Sequence, residues 1–339
     1  MHLFILGAHF EPLIKQTVCY IVCGLIYNEN GEVLLIQEAK QSCRGKWYLP
    51  AGRMEVEETI EEALKREVKE EAGFCCEITT LLLVEIDCGA RWVRFTCLAR
   101  VTGGHLKSKK EMDKESLQAR WCSTHDISQL EIRAHDIFPL MEYAEQFRSL
   151  PASSRHCNVL PTVSRHKRLL VRAVIVKNTE ASKNAQVLIG KKSGSHFPVG
   201  TIGPGDYGLC FSIARIVRTA LGGGVKAKLV VHGILAVEHC GAPALENDGL
   251  CFTCLASIGP RNNIDDYDTA ATLAAQIAAE FSVSEPPEVA TFSIACTDYA
   301  WLSIVDDQLS QELLGRLGKY MTIPTNRNAE FEEMLIPFR

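Results

Sequence analysis

The stretch Gly52–Phe74 reads GRMEVEETIEEALKREVKEEAGF and carries eight glutamates against four basic residues. Plotted at about 100° per residue, its part from 59 to 73 places four apolar side chains on one stripe. Such a stripe packs inward, so the pattern predicts an amphipathic helix over 59–73. Glu62 and Arg66 lie four residues apart on the opposite face and are expected to pair in solvent. The four apolar residues are Ile60, Ala63, Leu64 and Val68.

Three carboxylates of this helix do not suit a solvated surface. Glu67 and Glu71 fall inside the apolar stripe, and Glu70 lies on its flank. Carboxylates three and four residues apart repel each other, and partial burial makes their ionisation more costly. A hard divalent cation such as Mg²⁺ takes oxygen ligands and removes this conflict. The alternative, a solvated acidic face, accounts for Glu55, Glu57, Glu61 and Glu62 but not for the carboxylates in the stripe.

A proline and a glycine precede the helix in WYLPAGRME. Glycine lets the backbone approach a ligand closely, so the carbonyl of Gly52 is a candidate for one more oxygen ligand. The alternative is a tight loop without a function.

The whole chain has 339 residues, for which two domains of ordinary size are expected. It is 47% hydrophobic and 23% charged, which is typical of a globular protein. A net charge of -5 and a pI near 6.1, with no basic stripe, argue against a nucleic-acid polymer as the main partner. A small anionic ligand remains compatible with this charge, because a bound metal supplies positive charge locally.

Targeting and redox signals are weak. No apolar run approaches the roughly 20 residues that span a bilayer, and no membrane partner is expected. Residues 1–16 are interpreted as an N-terminal tail and not as a signal peptide. The 14 cysteines form no regular framework, which favours reduced thiols and a cytoplasmic location. Cys251 and Cys254 form an isolated CxxC without a suitably spaced second pair, so a structural role is favoured over zinc binding.

Residues 17–148 mix strand-like and helical patterns, which predicts an α/β (α+β sandwich) domain. VCYIVCGLIY and EVLLIQEA flank the turn signal NENG, which is typical of hairpin strands. EITTLLLVEID, WVRFTCLARV and SLQARWCS are strand-like, and HDIFPLMEYAEQF is predicted to be a closing helix. Residues 149–167 are polar with two prolines and no periodicity, and they are interpreted as a linker.

Beyond the linker the chain repeats itself. LLLVEIDCG returns as GILAVEHCG, FTCLA recurs unchanged, EVLLIQEAK is echoed by QVLIGKK, and WCSTHDISQL by WLSIVDDQL. Four similarities in one order predict a second copy of the same fold over 168–325, followed by a C-terminal tail, 326–339. Its FSIARIVRTALG aligns with EALKREVKEEAG, so Ile216, Thr219 and Ala220 replace the three carboxylates while Arg215 is kept. This copy is therefore predicted to be degenerate and non-catalytic.

The residues from Gly52 to Phe74 match the Nudix box at each of its defined positions, and the chain resembles the Nudix hydrolases. The resemblance implies a mixed β-sheet between helices and the cleavage of a nucleoside diphosphate linked to another group. It implies that Glu70 and Glu71 are the main Mg²⁺ ligands, assisted by the Gly52 carbonyl. It also implies that Glu67 binds metal or orients the attacking water. Glu58 and Arg66 resemble the family's structural ion pair.

The flanking segments, over residues 18–145, are similar to the animal 8-oxo-dGDP phosphatase branch. RGKWYLPAGRME, ETIEEALKREVKEEAG and RAHDI carry this likeness. It implies hydrolysis of 8-oxo-dGDP to 8-oxo-dGMP and phosphate, with Mg²⁺ as cofactor and Mn²⁺ as a substitute. One departure is Val56–Glu57, where the branch has Pro–Gly in an exposed loop. Two alternatives stay open: another diphosphate substrate (ADP-ribose, a nucleotide sugar or capped RNA) and a nucleotide-binding scaffold.

Five residues are candidates for base recognition. Leu34 and Met54 are suited to an apolar slot for a purine, although Leu34 equally suits a strand core. In related 8-oxo-purine hydrolases acidic side chains before the last helix read the base edge, which makes His135 and Asp136 candidates; a helix cap is the alternative for Asp136. Glu115 is a candidate ligand or base within a charged loop, where a solvated charge is the alternative. The sequence does not identify a protein partner for the second copy.

Overall fold

A computed structural model describes residues 10–87, 91–156, 158–177, 184–192, 194–203, 206, 208–222, 227–259 and 292–325, and the backbone of 332–335. Its strands are β1 Cys19–Ile26, β2 Val33–Glu38, β3 Trp47–Tyr48, β4 Ala51–Arg53, β5 Phe74–Asp87, β6 Trp92–Gly104, β7 Ser116–Cys122, β8 Leu169–Lys177, β9 Gln186–Gly190, β10 Val199–Thr201, β11 Lys228–Glu238, β12 Leu250–Gly259, β13 Tyr299–Ser303 and β14 Glu332–Leu335. Its α-helices are α1 Ile60–Ala72, α2 Thr124–Ser128, α3 Ile137–Ser149, α4 Leu209–Leu221 and α5 Asp307–Gly315. Three short 3₁₀ turns cover Gln41–Cys43, Lys109–Glu111 and Ala152–Ser154.

Helix α1 confirms the expected helix, and local chemistry sets both of its ends. Thr59 is the N-cap: its side chain accepts the Glu62 N–H, and the Glu62 carboxylate accepts the Thr59 N–H, which makes a capping box. Gly73 ends the helix with a φ of 82°, and its N–H donates to the Lys69 carbonyl. The expected pair between Glu62 and Arg66 is wrong, because Glu62 is used by the cap.

The N-terminal half is a mixed sheet between helices, as expected. Strands β4, β1, β6 and β5 form one sheet in that order, with β1 parallel to β6, and β3, β2 and β7 form a second. On one face of the first sheet Val22, Leu81 and Phe95 pack against α1. On its other face Leu25 and Leu98 pack toward α3. The apolar faces of both helices are thus buried against the same strands.

The expected β1–β2 hairpin is wrong in part. The NENG turn forms, with the Gly31 N–H donating to the Asn28 carbonyl. The two strands then separate, since β1 pairs with β4 and β6 while β2 pairs with β3 and β7. Only an isolated bridge between Tyr27 and Val33 joins them among the described residues. A turn signal fixes a change of direction but not which sheet each strand enters.

The C-terminal half repeats the strand pairing of the N-terminal half. Strands β10, β8, β12 and β11 are neighbours in the same order as β4, β1, β6 and β5, and β13 pairs with β9 as β7 pairs with β2. The registers also agree: Val22 faces Gly52 on β4, and Val171 faces Gly200 on β10. Helices α1 and α4 each have 13 residues.

The two halves share one apolar core, which includes buried residues of both α1 and α4. The segments interpreted as a tail and a linker contribute to the contacts. Ile14 is buried and donates its N–H to Asp248, and Thr162 bridges to Glu238 of β11. Within 149–167, His156 is also buried.

Two further observations concern the helices and the cysteines of the described residues. None of the helices seen there has the length and apolar character needed to cross a membrane. The cysteines described by the structure are all free thiols, and Cys251 and Cys254 are both buried in β12.

Candidate active site

The carboxylates of α1 are arranged as the helical wheel predicts. Glu67 and Glu71 are buried at 6% and 1% exposure, while Glu70 is exposed. All three lie on the last two turns of α1, the helix that follows β4 in the chain. A buried pair of carboxylates one turn apart needs positive charge nearby if both are to be ionised.

Glu71 is a buried carboxylate with one bound oxygen, one unpartnered oxygen and a raised pKa. One of its oxygens, Oε2, accepts the Ala51 N–H at 2.9 Å. The other, Oε1, is buried and has no hydrogen-bond partner among the described residues. Burial raises the pKa of Glu71 to about 8, and the neighbouring Glu67 and Glu38 add to the rise, against the effects of the Ala51 N–H and Lys40. An unpartnered buried carboxylate oxygen is a suitable ligand for a cation.

Gly52 lies directly against Glu67. A β-carbon built on Gly52 would lie 2.1 Å from Cδ and Oε1 of Glu67. Because no side chain fits there, glycine alone lets this carboxylate reach the β4 backbone. Burial raises the pKa of Glu67, while Arg66 opposes the rise.

Arg66 connects the loop before α1 to the carboxylates. Its Nε and Nη2 donate to the two oxygens of Glu58 at 2.6 and 2.9 Å, and Nη2 also reaches the Arg53 carbonyl at 3.1 Å. Its Nη1 donates to Glu67 at 2.7 Å and lies 3.3 Å from Glu70. Burial raises the pKa of Glu58, but Arg66 and the Glu55 N–H outweigh it and leave that pKa lowered. A planar guanidinium suits this geometry because it offers several fixed N–H donors.

Comparison with known proteins agrees with this geometry. The family description "NUDIX domain" matches residues 19–143. The human protein named 8-oxo-dGDP phosphatase NUDT18 is 39% identical over 321 residues, covering 93% of this chain and 88% of that protein. The mouse protein of that name is 37% identical over 325 residues, covering 94% and 90% of the two chains. The zebrafish protein of that name is 34% identical over 320 residues, covering 92% and 88%.

The chain belongs to the Nudix hydrolase family. It is an enzyme of that family, whose members need a divalent metal and act on small nucleotide substrates. Glu58, Glu67, Glu70 and Glu71 occupy the glutamate positions of the Nudix box.

The candidates for base recognition fall into two groups. Leu34 and Met54 are almost fully buried in the core shared with α1. Glu115, His135 and Asp136 lie nearer the surface. Glu115 is 3.4 Å from Lys114, and the His135 ring stacks on Phe138 with centroids 5.8 Å apart.

Asp136 belongs to a network that the sequence did not indicate. Its Oδ2 accepts hydrogen bonds from Arg94 and Tyr48, each at 2.9 Å. Arg94 also pairs with Glu85 at 2.5 Å. Asp136 occupies the N-cap position of α3 but makes no side-chain cap bond. The available signal was the single charged residue Arg94 between apolar neighbours in WVRF, a segment with the pattern of a buried strand.

Glu38 and Arg133 were also missed. Glu38 is 1% exposed, and its Oε1 accepts a hydrogen bond from Arg133 at 2.5 Å. Its Oε2 has no partner among the described residues. Arg133 also lies over the Tyr48 ring, 5.3 Å from the centroid. The charge at the end of EVLLIQE was the only sequence signal, and a strand end is ordinarily solvated.

The equivalent place in the C-terminal half keeps the frame of the Nudix box without its carboxylates. Arg215 pairs with Asp206 and donates to the Thr201 carbonyl at 2.7 Å, as Arg66 does to Glu58 and Arg53. A β-carbon on Gly200 would lie 3.3 Å from Cδ1 of Ile216, where the first half has Gly52 and Glu67.

A second group of metal-ligand type lies in this half. His166, Glu238 and Cys251 place one ligand atom each within 4.8 Å of one another. Arg172, however, donates to both oxygens of Glu238, at 2.5 and 3.4 Å. A guanidinium at the carboxylate opposes a cation there, so we interpret the group as an ion-pair cluster.

Proposed function

We propose that this protein hydrolyses oxidised purine nucleoside diphosphates, 8-oxo-dGDP to 8-oxo-dGMP and phosphate, and so removes damaged precursors from the nucleotide pool. The observation that carries the proposal is the Nudix box geometry, in which Glu67 is buried against Gly52 and Glu71 is buried and accepts the Ala51 N–H. The substrate is supported by the name that three relatives, 34% to 39% identical to this chain, share.

The proposed metal ligands are Glu67, Glu70 and Glu71 with the Gly52 carbonyl, and Mg²⁺ is the proposed ion, with Mn²⁺ as a substitute. The donor set consists of oxygens, which hard divalent cations prefer. The unpartnered Oε1 of Glu71 and its raised pKa fit a position next to a cation. When bound, such an ion polarises phosphoryl oxygens and increases the acidity of a coordinated water.

The protein's own residues supply positioning and proton transfer. Glu67 is proposed to orient the attacking water and to accept its proton, since its carboxylate lies next to the β4 backbone. Arg66 and Glu58 hold the loop before α1 to the helix and thereby fix Glu67. These contacts keep the carboxylate in place before substrate binds.

His135, Asp136 and Glu115 are proposed for polar contacts to the base, and Leu34 and Met54 for the apolar wall of its subsite. Asp136 is held by hydrogen bonds from Arg94 and Tyr48, which fix the position of its carboxylate.

Catalysis is proposed to belong to residues 17–148 alone. In 168–325 the positions of the three carboxylates hold Ile216, Thr219 and Ala220, which offer no carboxylate to a metal. Residues 149–167 are proposed to connect the halves, with 1–16 and 326–339 as terminal segments. We propose a small nucleotide as the partner, neither nucleic acid nor membrane, and a cytoplasmic location, which the free thiols support.

The test is phosphate release from 8-oxo-dGDP with Mg²⁺, comparing the wild type with Glu71→Gln. Glu61→Gln is the matched control, because Glu61 lies on the same helix and pairs with Lys65 in solvent. Turnover by the wild type and the control, lost in Glu71→Gln, is expected. If none turns over, ADP-ribose, nucleotide sugars and capped RNA are to be assayed next. Binding without hydrolysis of any of these would favour the scaffold alternative.

A further inference from the structure

A segment of the C-terminal half, residues 239–248, lies against the loop that precedes α1. We call these the bracing segment and, for residues 54–58, the pre-helix loop. Gly241 has a φ of 74°, and a β-carbon there would lie 2.7 Å from the Glu58 carbonyl oxygen. The backbones of the two segments therefore approach as closely as a glycine allows.

A second contact involves Val56–Glu57, where the sequence departs from the pattern of the 8-oxo-dGDP phosphatase branch. Glu57 has a φ of 65°, a left-handed conformation that is costly for a residue with a side chain. Its Oε1 accepts the Ala244 N–H of the bracing segment at 3.3 Å. A strained residue persists where its surroundings hold it. Here the C-terminal half supplies one of the contacts that hold it.

The bracing segment is itself firmly attached to the N-terminal half. Asp248 is buried; its carbonyl accepts the Tyr20 hydroxyl at 2.7 Å, and its Oδ2 accepts the Ile14 N–H at 2.9 Å. The Tyr20 ring meets the His239 ring edge-on, 5.5 Å between centroids. The Tyr20 carbonyl also accepts the N–H of Met54, the first residue of the pre-helix loop. Tyr20 thus ties both segments to β1.

Contacts continue from the pre-helix loop into the active site. The carboxylate of Glu58 binds Arg66, and Arg66 binds Glu67. A displacement of the Glu58 backbone therefore moves the guanidinium that orients Glu67. Displacements of this kind are costly to catalysis, because reacting groups must be held in a narrow range of positions.

We propose that the degenerate half is a positioning element for the reaction: its bracing segment, through Gly241 and Ala244, holds the pre-helix loop and so fixes Arg66 and Glu67. The kinetic part of this inference rests on the proposed function. The structural part, that the bracing segment restrains the loop, does not.

The test compares Gly241→Ala with Gly31→Ala. Both glycines have similar positive φ values, 74° and 78°, but a β-carbon on Gly31 meets nothing within 4 Å. Both variants place a side chain at a similar left-handed φ and so carry a similar backbone strain. Only in Gly241→Ala does the new methyl group clash with the Glu58 carbonyl. We expect Gly241→Ala to lower kcat about tenfold relative to Gly31→Ala, with KM within about twofold. Equal kcat values for the two variants would overturn the proposal.

Amide hydrogen exchange of residues 54–59 in the full chain gives a readout that does not need activity. Faster exchange in Gly241→Ala than in Gly31→Ala is expected, and equal exchange would overturn the restraint. If the wild type does not cleave 8-oxo-dGDP, the proposed function fails, and the exchange measurement still decides the restraint. Faster exchange with unchanged kcat, in an active enzyme, would overturn the positioning role.

A second pair of variants covers the case that Gly241→Ala does not fold. Glu57→Ala removes the acceptor of the Ala244 N–H, and Glu57→Gln keeps an acceptor oxygen. Faster loop exchange and a lower kcat in Glu57→Ala, restored in Glu57→Gln, support the proposal. The same values in both variants and the wild type contradict it.

Discussion

The backbone of Gly52 and the carboxylate of Glu67 are in direct contact, so closely that a β-carbon on Gly52 would lie 2.1 Å from Oε1 of Glu67. In the C-terminal half Gly200 and Ile216 are at the equivalent positions, and a β-carbon on Gly200 would lie 3.3 Å from Cδ1 of Ile216. Glycines at equivalent positions therefore face a carboxylate in one half and an apolar side chain in the other.

Gly52→Ala is expected to reduce kcat by about 10²-fold, because the new methyl group displaces the Glu67 carboxylate by more than an ångström. Steady-state phosphate release is the measurement. Gly103→Ala is the control, since a β-carbon there meets nothing within 4 Å. Full activity in Gly52→Ala would show that the contact is not needed.

Glu58→Gln is expected to lower activity about tenfold, because the neutral amide weakens the charge-assisted pair that holds Arg66. Glu58 accepts from Arg66 at 2.6 and 2.9 Å and does not touch the carboxylates itself. The change is therefore expected in kcat more than in KM. Glu61→Gln, at an exposed pair with Lys65, serves as the control and should leave kcat unaltered.

Arg94→Met is expected to lower the free energy of unfolding by about 3–5 kcal/mol, because it removes the counter-charge of the buried Glu85 and the half-buried Asp136. Arg94 contacts Glu85 at 2.5 Å and Asp136 at 2.9 Å. Urea denaturation measures the change. The control is Arg100→Met, on the same strand as Arg94. It breaks an exposed pair with Glu77 and should lower the free energy of unfolding by less than about 1 kcal/mol. Similar losses in both variants would contradict the buried network.

His156 is expected to make the fold sensitive to acid. Burial, with Arg155 and Arg316 nearby, lowers the pKa of His156 to about 4. The unfolded chain, with a histidine pKa near 6.5, binds this proton first, so stability is lost as the pH falls from about 6.5 toward 4. At pH 5 the loss relative to pH 7 is about 2 kcal/mol.

His156→Leu should remove this part of the acid sensitivity, measured as the difference in unfolding free energy between pH 7 and pH 5. The exposed His125→Leu is the control and should behave as the wild type. An unchanged pH dependence in His156→Leu would show that the native state accepts the proton on this ring.

Much of the site was predictable because its signal is local. The positions of Glu67 and Glu71 in the apolar stripe of α1 predicted their burial, which the structure confirms. The repeated segments predicted the sheet-rich second half, whose strands pair in the same order. Glu38, Arg94 and Arg133 were missed, since each gains its partner from a distant segment.

The sequence by itself determined the Nudix family, helix α1, and the loss of the three carboxylates in the second half. These depend on residue types at fixed short spacing, which helical geometry converts directly into positions. Only the tertiary structure decided which sheets β1 and β2 enter, which partners Asp136 has, and that residues 239–248 lie against the pre-helix loop. Those contacts join residues about 10 to 190 positions apart, and packing between elements, not local propensity, sets them.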